Sequence, residues 1–261
     1  MYDLGALEAE LAGSVFAGKL KFSSVTGSTN TDALEAARNG APHGCVFFAD
    51  EQTAGRGRGD HHWQSTAGEG LYVSVLMRPR LSPAQLRLIP LAAGLAAAGA
   101  IRLLAGLAID LRWPNDLLIG PRKAGGVLVE SKTGAAELAF AVVGIGINVH
   151  QRAFDPALST PAVSLDIAAG HRVSRQALLV ALLKSLEREM LLLADSEAVN
   201  ATRARVEQAS TWLTGRRVRV HGPRECVGVT AGLDAQGFLL VQTAEGLVTV
   251  ETGGIRAADT D

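Results

Sequence analysis

Polar and glycine-rich residues that could bind an anionic or strongly polar ligand are concentrated in four short segments of the 261-residue chain. They read GSTNTD at 27–32, DEQTAGRGRGDHHW at 50–63, RWPND followed by PRKAGG between 112 and 126, and GIGIN at 144–148. The first segment supplies hydroxyl and amide groups that can hydrogen-bond a small polar ligand, directly before a helical pattern. The same residue types also cap helices, so a plain N-cap is the alternative.

The second segment alternates glycines with Arg56 and Arg58. Glycine amides can approach a ligand closely, and arginine makes bidentate hydrogen bonds to carboxylates and phosphates. The pattern therefore predicts a mobile loop that closes over an anionic ligand. The alternatives are a solvated loop and an Arg-Gly nucleic-acid-binding segment, but Asp50, Glu51 and Asp60 nearly offset the two cations. Neither a P-loop nor a dinucleotide-binding glycine motif is present.

The third segment lies between two apolar runs. Pro114 excludes a central strand there, so Asn115 and Asp116 form either a plain turn or the rim of a ligand site at a strand end. Lys123 follows beside a glycine pair, in a chain with five lysines and twenty arginines. It is a second candidate ligand cation, with a solvated hairpin lysine as the alternative.

The fourth segment ends an apolar run. Glycines inside a strand indicate a bulge or a close backbone approach, and Asn148 emerges at the strand end, where sheets often bind ligands. Other candidates are weak. His61 and His62 are adjacent and have no third ligand in reach, so we predict no metal site. Cys45 lies in an apolar run and is predicted to be a core residue.

The elements that must position these segments alternate in type. Short apolar runs predict strands at 45–49, 71–76, 109–113, 126–130 and 138–147. A capping-box pattern at 82–85 predicts a helix to about residue 104, and an apolar stripe at helical spacing predicts a second helix after Ser174.

The character of the chain changes near residue 213. Four short strands with hairpin-sized loops are predicted at 218–220, 226–232, 238–243 and 247–251, which is typical of a small barrel or meander. We therefore predict two domains, one at 1–212 and the other at 213–261.

Composition narrows the class of protein. A hydrophobic content of 48% and a net charge of −1 argue against disorder and against a protein that coats nucleic acid. Two cysteines without ligand spacing indicate a reducing compartment, and no signal-peptide pattern opens the chain, so we expect a cytoplasmic protein. The most apolar window, 89–108, contains Arg102 and is predicted to be a buried helix rather than a membrane span.

Taken in order, the four segments resemble those of biotin protein ligases. The matching runs are GSTN at 27–30, EQTAGRGR at 51–58, Trp63, WPND at 113–116, RKAGGVLVE at 122–130 and GIGIN at 144–148. The run at 228–239 resembles the C-terminal cap of the family. The resemblance implies an α+β fold: a mixed sheet flanked by helices, of the class II aminoacyl-tRNA synthetase-like biotin-lipoate ligase type, with a small C-terminal SH3-like β-barrel.

The family's reaction has two steps. Biotin and Mg-ATP give biotinyl-5′-AMP and pyrophosphate, and a lysine of a biotin carboxyl carrier protein then takes the biotinyl group. The resemblance therefore implies biotin, ATP and Mg²⁺ as ligands and a carboxylase carrier domain as partner. It implies no DNA and no membrane as partners, and it leaves a homodimer open. The rival functions are a lipoate or octanoate protein ligase of the same superfold and a non-catalytic biotin-binding regulator.

The resemblance also assigns roles. It implies biotin contacts for Ser28, Thr29, Asn30 and Gln52, and a loop over the carboxylate and phosphate formed by Gly55, Arg56, Gly57 and Arg58. Lys123 matches the lysine at the biotin carboxylate, and Trp63 matches the aromatic residue over adenine. The nucleotide, metal or second-step positions are matched by Arg112, Asn115, Asp116 and Asn148. The catalytic candidates among all of these are Arg58, Lys123 and Asp116.

The chain departs from the family pattern in three ways. Arg112 stands where lysine is usual, and Asp60-His61-His62-Trp63 replaces a usual Gly-Arg-x-Trp, so one loop cation is lost. The stretch before the first segment is too short for the DNA-binding helix-turn-helix domain that some members carry. We therefore expect a single-function ligase.

Overall fold

The computed structural model describes residues 2–59, 61–133, 138–195 and 198–258, and Asp60 of the glycine-rich segment lies outside them. Seven strands form the main sheet. They are β1 (Leu20–Thr26), β2 (Val46–Gln52), β3 (Gly70–Met77), β4 (Asp110–Arg112), β5 (Asp116–Ile119), β6 (Arg122–Thr133) and β7 (Leu138–Asn148). Their spatial order is β1-β2-β3-β7-β6-β5-β4. Only the β1–β2 pair is parallel among the described strands of this sheet, so the predicted mixed sheet is confirmed.

Helices cover both faces of this sheet. They are α1 (Leu4–Glu10), α2 (Thr29–Arg38), α3 (Pro83–Ala105), α4 (Leu165–Ala169), α5 (Arg175–Ala194) and α6 (Val199–Gln208). Leu76 and Val142 pack with α2 and the buried Cys45, whereas Val75 and Val143 belong to the larger core that includes α3 and α5. Because neighbouring residues of a strand point to opposite faces, α2 lies on one face and the α3–α5 pair on the other.

The helix α3 begins as its sequence predicts. The Ser82 side chain accepts from the Gln85 backbone amide, the Gln85 side chain accepts from the Ser82 amide, and the helix ends at Gly106, whose φ is 67°. Within the described residues, α3 is the one helix long and apolar enough to cross a membrane, and 61% of its apolar window is buried inside the molecule. Gln85 Nε2 also donates to the carbonyl of Leu193 at 2.8 Å. This is the packing of a core helix.

A second, five-stranded sheet follows. It contains β8 (Thr214–His221), β9 (Cys226–Leu233), β10 (Leu239–Thr243), β11 (Gly246–Val250) and β12 (Gly254–Ala257), all antiparallel and in the order β11-β10-β9-β8-β12. Trp113 Nε1 donates to the carbonyl of Gly237 at 3.2 Å and joins this sheet to the first part of the chain. The division into domains at residue 213 stays a prediction.

The strands around the third segment differ from the prediction. The strand predicted at 109–113 is limited to β4, because Trp113-Pro114-Asn115 forms the turn into the unpredicted strand β5. The strand predicted at 126–130 starts earlier, at Arg122, because β5 pairs with its first residues. Lys123 therefore lies inside a strand rather than at the tip of a hairpin.

Candidate active site

A cleft of about 590 Å³ lies over the α2 face of the main sheet, and residues of all four segments line it. Ser74 on β3 and Gly144, Gly146 and Asn148 on β7 have the same strand parity as Leu76 and Val142, which pack under α2. Turns of the second sheet close one side through Gly222 and Gly253. Every candidate residue named from the sequence lines the cleft except Gly55, the buried first residue of the glycine-rich loop. The volume of the cleft is that of an ordinary small-molecule site.

The start of α2 presents a cluster of buried polar groups. Ser28 occupies the N-cap position, but its side chain makes no capping hydrogen bond. Thr29 Oγ1 and Ser74 Oγ lie 2.7 Å apart, and Ser74 Oγ donates to Asn30 Oδ1 at 2.5 Å. The helix begins without a side-chain cap, and Ser28 lines the cleft.

Gln52 fixes this cluster to the next segment. Its Oε1 accepts from the backbone amide of Thr29 at 2.9 Å, and its Nε2 donates to Ser65 Oγ at 2.8 Å. A Cβ on Gly55 would lie 2.7 Å from that same Ser65 Oγ and 2.4 Å from the carbonyl of Trp63. Glycine is required there because the returning chain packs directly against its Cα.

The two glycines of β7 allow side chains to touch the sheet backbone. A Cβ on Gly144 would lie 2.1 Å from Asn30 Oδ1, and a Cβ on Gly146 would lie 2.6 Å from the Trp63 ring. The close approach that the sequence indicated for this strand is confirmed. The floor of the cleft is therefore backbone flanked by an amide and an indole.

Two arginines of the glycine-rich loop contact other elements of the fold. Arg56 forms a bidentate ion pair with Glu130 of β6, at 3.0 and 2.7 Å. Arg58 Nη2 donates to the carbonyl of Gly253 at 2.5 Å, across to the second sheet. Burial lowers the pKa of the Arg58 guanidinium, and the charge of Asp116 partly offsets that effect. Arg58 is thus a partly desolvated cation held at the edge of the cleft by a neutral carbonyl.

Asp116 is the centre of a second cationic group. Its Oδ1 lies 2.5 Å from Lys123 Nζ, and its Oδ2 accepts from Arg112 Nη2 at 2.6 Å. Burial acts to raise the pKa of Asp116, but Lys123 and Arg112 outweigh it, so this pKa lies below its ordinary value. Lys123 is consequently an ion-paired group at the cleft wall, and the solvated-lysine alternative is wrong.

The remaining polar candidates are held by backbone groups. Asn115 Nδ2 donates to the carbonyl of Val127 at 2.7 Å. Asn148 Nδ2 donates to the carbonyls of Lys123 and Val163, both at 3.3 Å. Each amide side chain therefore has its donors directed into the protein. Trp63 lies with its ring centroid 5.5 Å from Lys123 Nζ.

Sequence reasoning missed several residues that shape the cleft. Ser74 is fully buried and joins Thr29 to Asn30, and Gln151 is a buried lining residue whose Oε1 has no hydrogen-bond partner. No local signal marks either residue. Glu130 stood in the matching run RKAGGVLVE, but its partner Arg56 is 74 positions away in the chain.

The arrangement suits a ligand with a polar uncharged end and an anionic end. Hydroxyl and amide groups surround the start of α2, while Arg58, Lys123 and Arg112 line the other parts of the cleft. In the described ranges, no three His, Cys, Asp or Glu side chains are grouped as metal ligands would be. His61 and His62 are both exposed.

Comparison with known families matches two parts of the chain. Residues 22–148 match the Biotin/lipoate A/B protein ligase family, and residues 214–255 match the Biotin protein ligase C terminal domain.

Individual relatives cover most of the chain. The bifunctional ligase/repressor BirA of Bacillus spizizenii is 32% identical over 241 residues, covering 90% of this chain and 73% of its own length. The biotin–[acetyl-CoA-carboxylase] ligase of Mycobacterium tuberculosis is 34% identical over 239 residues, covering 88% of this chain and 85% of its own length. The structure of a biotin protein ligase from Aquifex aeolicus in complex with biotin and ATP superposes with a TM-score of 0.76 at 28% identity, covering 92% and 98% of the two chains.

Proposed function

Because this chain belongs to the biotin protein ligase family, we propose that its cleft activates biotin with ATP and transfers the biotinyl group to a lysine of a carboxylase carrier domain. The observation that carries the proposal is the convergence of all four polar segments on one cleft. ATP-dependent biotin ligation is the activity of the family. The roles of individual residues are our assignments for this chain.

The polar end of the cleft fits the ureido ring of biotin. Ser28 presents a hydroxyl that is not used as a helix cap, next to Thr29 and Gln52. The side chains of Val127, Leu128 and Ile145 line the cleft and offer an apolar surface for the rest of the ligand, beside the Asn30 and Trp63 side chains that pack on Gly144 and Gly146. Biotin has a neutral polar head followed by an apolar chain, and the polar and apolar surfaces of the cleft follow each other in the same order.

The cations then act at the carboxylate end. The biotin carboxylate attacks the α-phosphorus of ATP, a P–O bond forms, and the bond to pyrophosphate breaks. Two anions must approach each other in this step, so fixed positive groups lower its barrier. Lys123 and Arg58 are the cations we assign to this task, and Asp116 orients Lys123. Trp63, Asn115 and Arg112 are assigned to the nucleotide.

The second step needs no nucleophile from this chain. The amine of the carrier lysine attacks the carbonyl of biotinyl-5′-AMP, an amide bond forms, AMP leaves, and the amine loses a proton. The adenylate is already an activated acyl donor. We assign Asn148 to the wall that holds the adenylate, because the Asn148 side-chain amide is fixed by two backbone carbonyls.

Mg²⁺ is proposed to enter with the phosphates of ATP. Among the residues that the structure describes, the carboxylates that line the cleft are Glu69 and Asp116, and both oxygens of Asp116 are engaged by cations. Asp116 therefore does not fit a metal ligand in this arrangement. Mg²⁺ commonly keeps several waters and binds through substrate phosphates, which is compatible with so few protein ligands.

Several further assignments follow the family. We propose that the five-stranded sheet is an SH3-like barrel forming a separate domain from residue 213, and that the protein acts in the cytoplasm. The acceptor is proposed to be the carrier domain of acetyl-CoA carboxylase, because the name of the Mycobacterium tuberculosis relative gives acetyl-CoA carboxylase for that protein. The lack of DNA binding, the single function and a homodimer stay predictions.

The proposal is tested by measuring whether the protein attaches biotin or lipoate to an acceptor domain. The protein is incubated with ATP, Mg²⁺ and a carrier domain, with either biotin or lipoate, and the acceptor mass is measured. We expect biotin on the acceptor lysine and no transfer of lipoate. Lipoate transfer without biotin transfer would favour the lipoate ligase, and tight biotin binding without any adenylate would favour the regulator.

A further inference from the structure

A continuous chain of hydrogen bonds links the biotin end of the cleft to the root of the glycine-rich loop. It starts at Thr29, passes through the buried Ser74 to Asn30, and continues from Asn30 Nδ2 to Glu130 Oε2 at 2.8 Å. Glu130 then holds Arg56 with both carboxylate oxygens. Four separate elements, α2, β3, β6 and the loop, meet in this chain.

Glu130 is the junction of the chain. Its carboxylate accepts one hydrogen bond from Asn30 and two from Arg56, and its side chain is 28% exposed against 41% for Arg56. Bidentate arginine–carboxylate pairs are among the strongest and most directional hydrogen bonds in proteins. Arg56 is thereby fixed two residues before Arg58.

Both polar atoms of the Asn30 side chain are hydrogen-bonded to other groups of the protein. Its Nδ2 donates to Glu130 and, at 3.4 Å, to the carbonyl of Leu128, while its Oδ1 accepts from Ser74. Asn30 is only 4% exposed. Its amide is therefore directed toward Glu130 and the sheet.

We propose that Glu130 is a positioning residue, which sets the glycine-rich loop by holding Arg56 and couples it through Asn30 to the biotin pocket. This inference rests on the proposed function. When biotin fills the pocket beside Thr29, the same network fixes the loop that brings Arg58 over the ligand. Loss of Glu130 should free the loop root without removing any group that touches the ligand.

The first measurement needs no activity. Hydrogen exchange of the loop amides at 55–59 is compared between the wild type, E130Q and E35Q without ligand. Glutamine keeps an acceptor oxygen for Asn30 but cannot hold Arg56 with two charged oxygens, so E130Q should exchange faster there. E35Q removes an exposed carboxylate from α2 and should leave the loop unchanged.

The second measurement is a double-mutant cycle on biotin activation. E130Q and R56A should each lower kcat/KM for biotin about tenfold, through KM more than kcat, and the double variant should lose no more than either single variant. The melting temperature of E130Q should remain within about 2 °C of the wild type, because the acceptor for Asn30 is kept. E130A, which removes that acceptor, should melt lower as well.

The outcomes separate the two hypotheses. If the wild type forms no biotinyl-5′-AMP, the proposed function fails while loop exchange still tests Glu130. If E130Q matches the wild type in loop exchange and kinetics, the positioning role is wrong. Losses that multiply in the double variant would also overturn it, since Glu130 and Arg56 would then act independently.

Discussion

Asp116 illustrates how a single carboxylate can orient two cations in a cleft. Arg112 Nη2 contacts Oδ2 of the Asp116 carboxylate at 2.6 Å and Lys123 Nζ contacts Oδ1 at 2.5 Å, so the one carboxylate holds both cations. Their combined effect holds the pKa of Asp116 below the ordinary value of 3.8 despite burial. The two ion pairs of Asp116 therefore stabilise the fold fully at pH values above 3.8. This stabilisation is lost as the pH falls through the lower pKa that Asp116 has in the folded protein.

Asp116→Asn should accordingly destabilise the fold at neutral pH. The amide leaves two partly buried cations without a counter-charge, and we expect a loss on the order of 2–3 kcal/mol in the free energy of unfolding. Urea unfolding at pH 7 and at pH 3 measures it, and the difference from the wild type should shrink at the lower pH. A difference of equal size at both pH values would contradict the role of the charge.

Arg112→Lys tests the departure from the family pattern. Arg112 contacts both Asp116 and Thr160 Oγ1 and lies 5.3 Å from the Trp212 ring centroid, which one ammonium group cannot reproduce. We expect kcat/KM for ATP to fall about three- to tenfold, with little change for biotin. Arg216→Lys is the control, because Arg216 lies over the same indole but does not line the cleft. Equal effects of the two substitutions would show that only packing on Trp212 matters.

At the scale of elements, the glycine-rich loop contributes little to the core. Arg58 reaches the second sheet through one carbonyl, and most loop residues are exposed or half-buried. Arg58→Ala should therefore leave the ligand-free melting temperature almost unchanged while biotinyl-5′-AMP dissociates at least about tenfold faster.

The control for the loop is the exposed Arg80. Its replacement by alanine should alter neither the ligand-free melting temperature nor the dissociation rate of biotinyl-5′-AMP. Adenylate release is followed by chase with unlabelled ligand. If R58A instead lowers the ligand-free melting temperature and leaves adenylate release unchanged, Arg58 is a structural residue.

Sequence patterns located the elements whose signals are local. The capping box at Ser82 and Gln85 fixed the start of α3, and the apolar runs marked β2, β3 and β7. The strands β1, β5 and β12 were not predicted, because β1 is a half-buried edge strand and β5 and β12 are only four residues long. The helix α6 has two buried residues, Thr202 and Val206, too few for an apolar stripe.

The site residues likewise divide into those with a local sequence signal and those whose contacts depend on the folded structure. Arg58 and Lys123 were found because cations beside glycines are a local pattern. The contact between Arg56 and Glu130 depends on how β6 lies beside the loop, and that register is a property of the folded sheet. Pairwise contacts across 74 positions are beyond what periodicity and spacing can indicate.

At the scale of the molecule, the two sheets share one site. Gly222, Gly253 and Arg256 of the second sheet line the cleft, and Gly237 packs against α3. A Cβ on Gly237 would lie 2.5 Å from Leu88 Cδ2, at a φ of +80°. The turn at Gly237 thus packs closely on Leu88 of α3, and an added methyl group would require that side chain to shift.

Gly237→Ala should disturb this arrangement. We expect a loss of about 2–4 kcal/mol from backbone strain and the clash with Leu88, together with weaker ATP binding. Gly13→Ala is the matched control, since Gly13 has a φ of +82° and no atom within 4 Å of the added Cβ. Its loss should be limited to about 1–2 kcal/mol of backbone strain. Equal losses in the two variants would show that the contact with α3 carries no energy.

A single-turnover experiment tests the activity itself most directly. Excess protein is mixed with biotin and Mg-ATP, the products are separated, and a carrier domain is then added. We expect biotinyl-5′-AMP to accumulate with one equivalent of pyrophosphate, and then to disappear as the acceptor lysine gains biotin and AMP is released. Pyrophosphate release without a biotinyl adenylate, or an adenylate that the carrier domain never consumes, would contradict a biotin protein ligase.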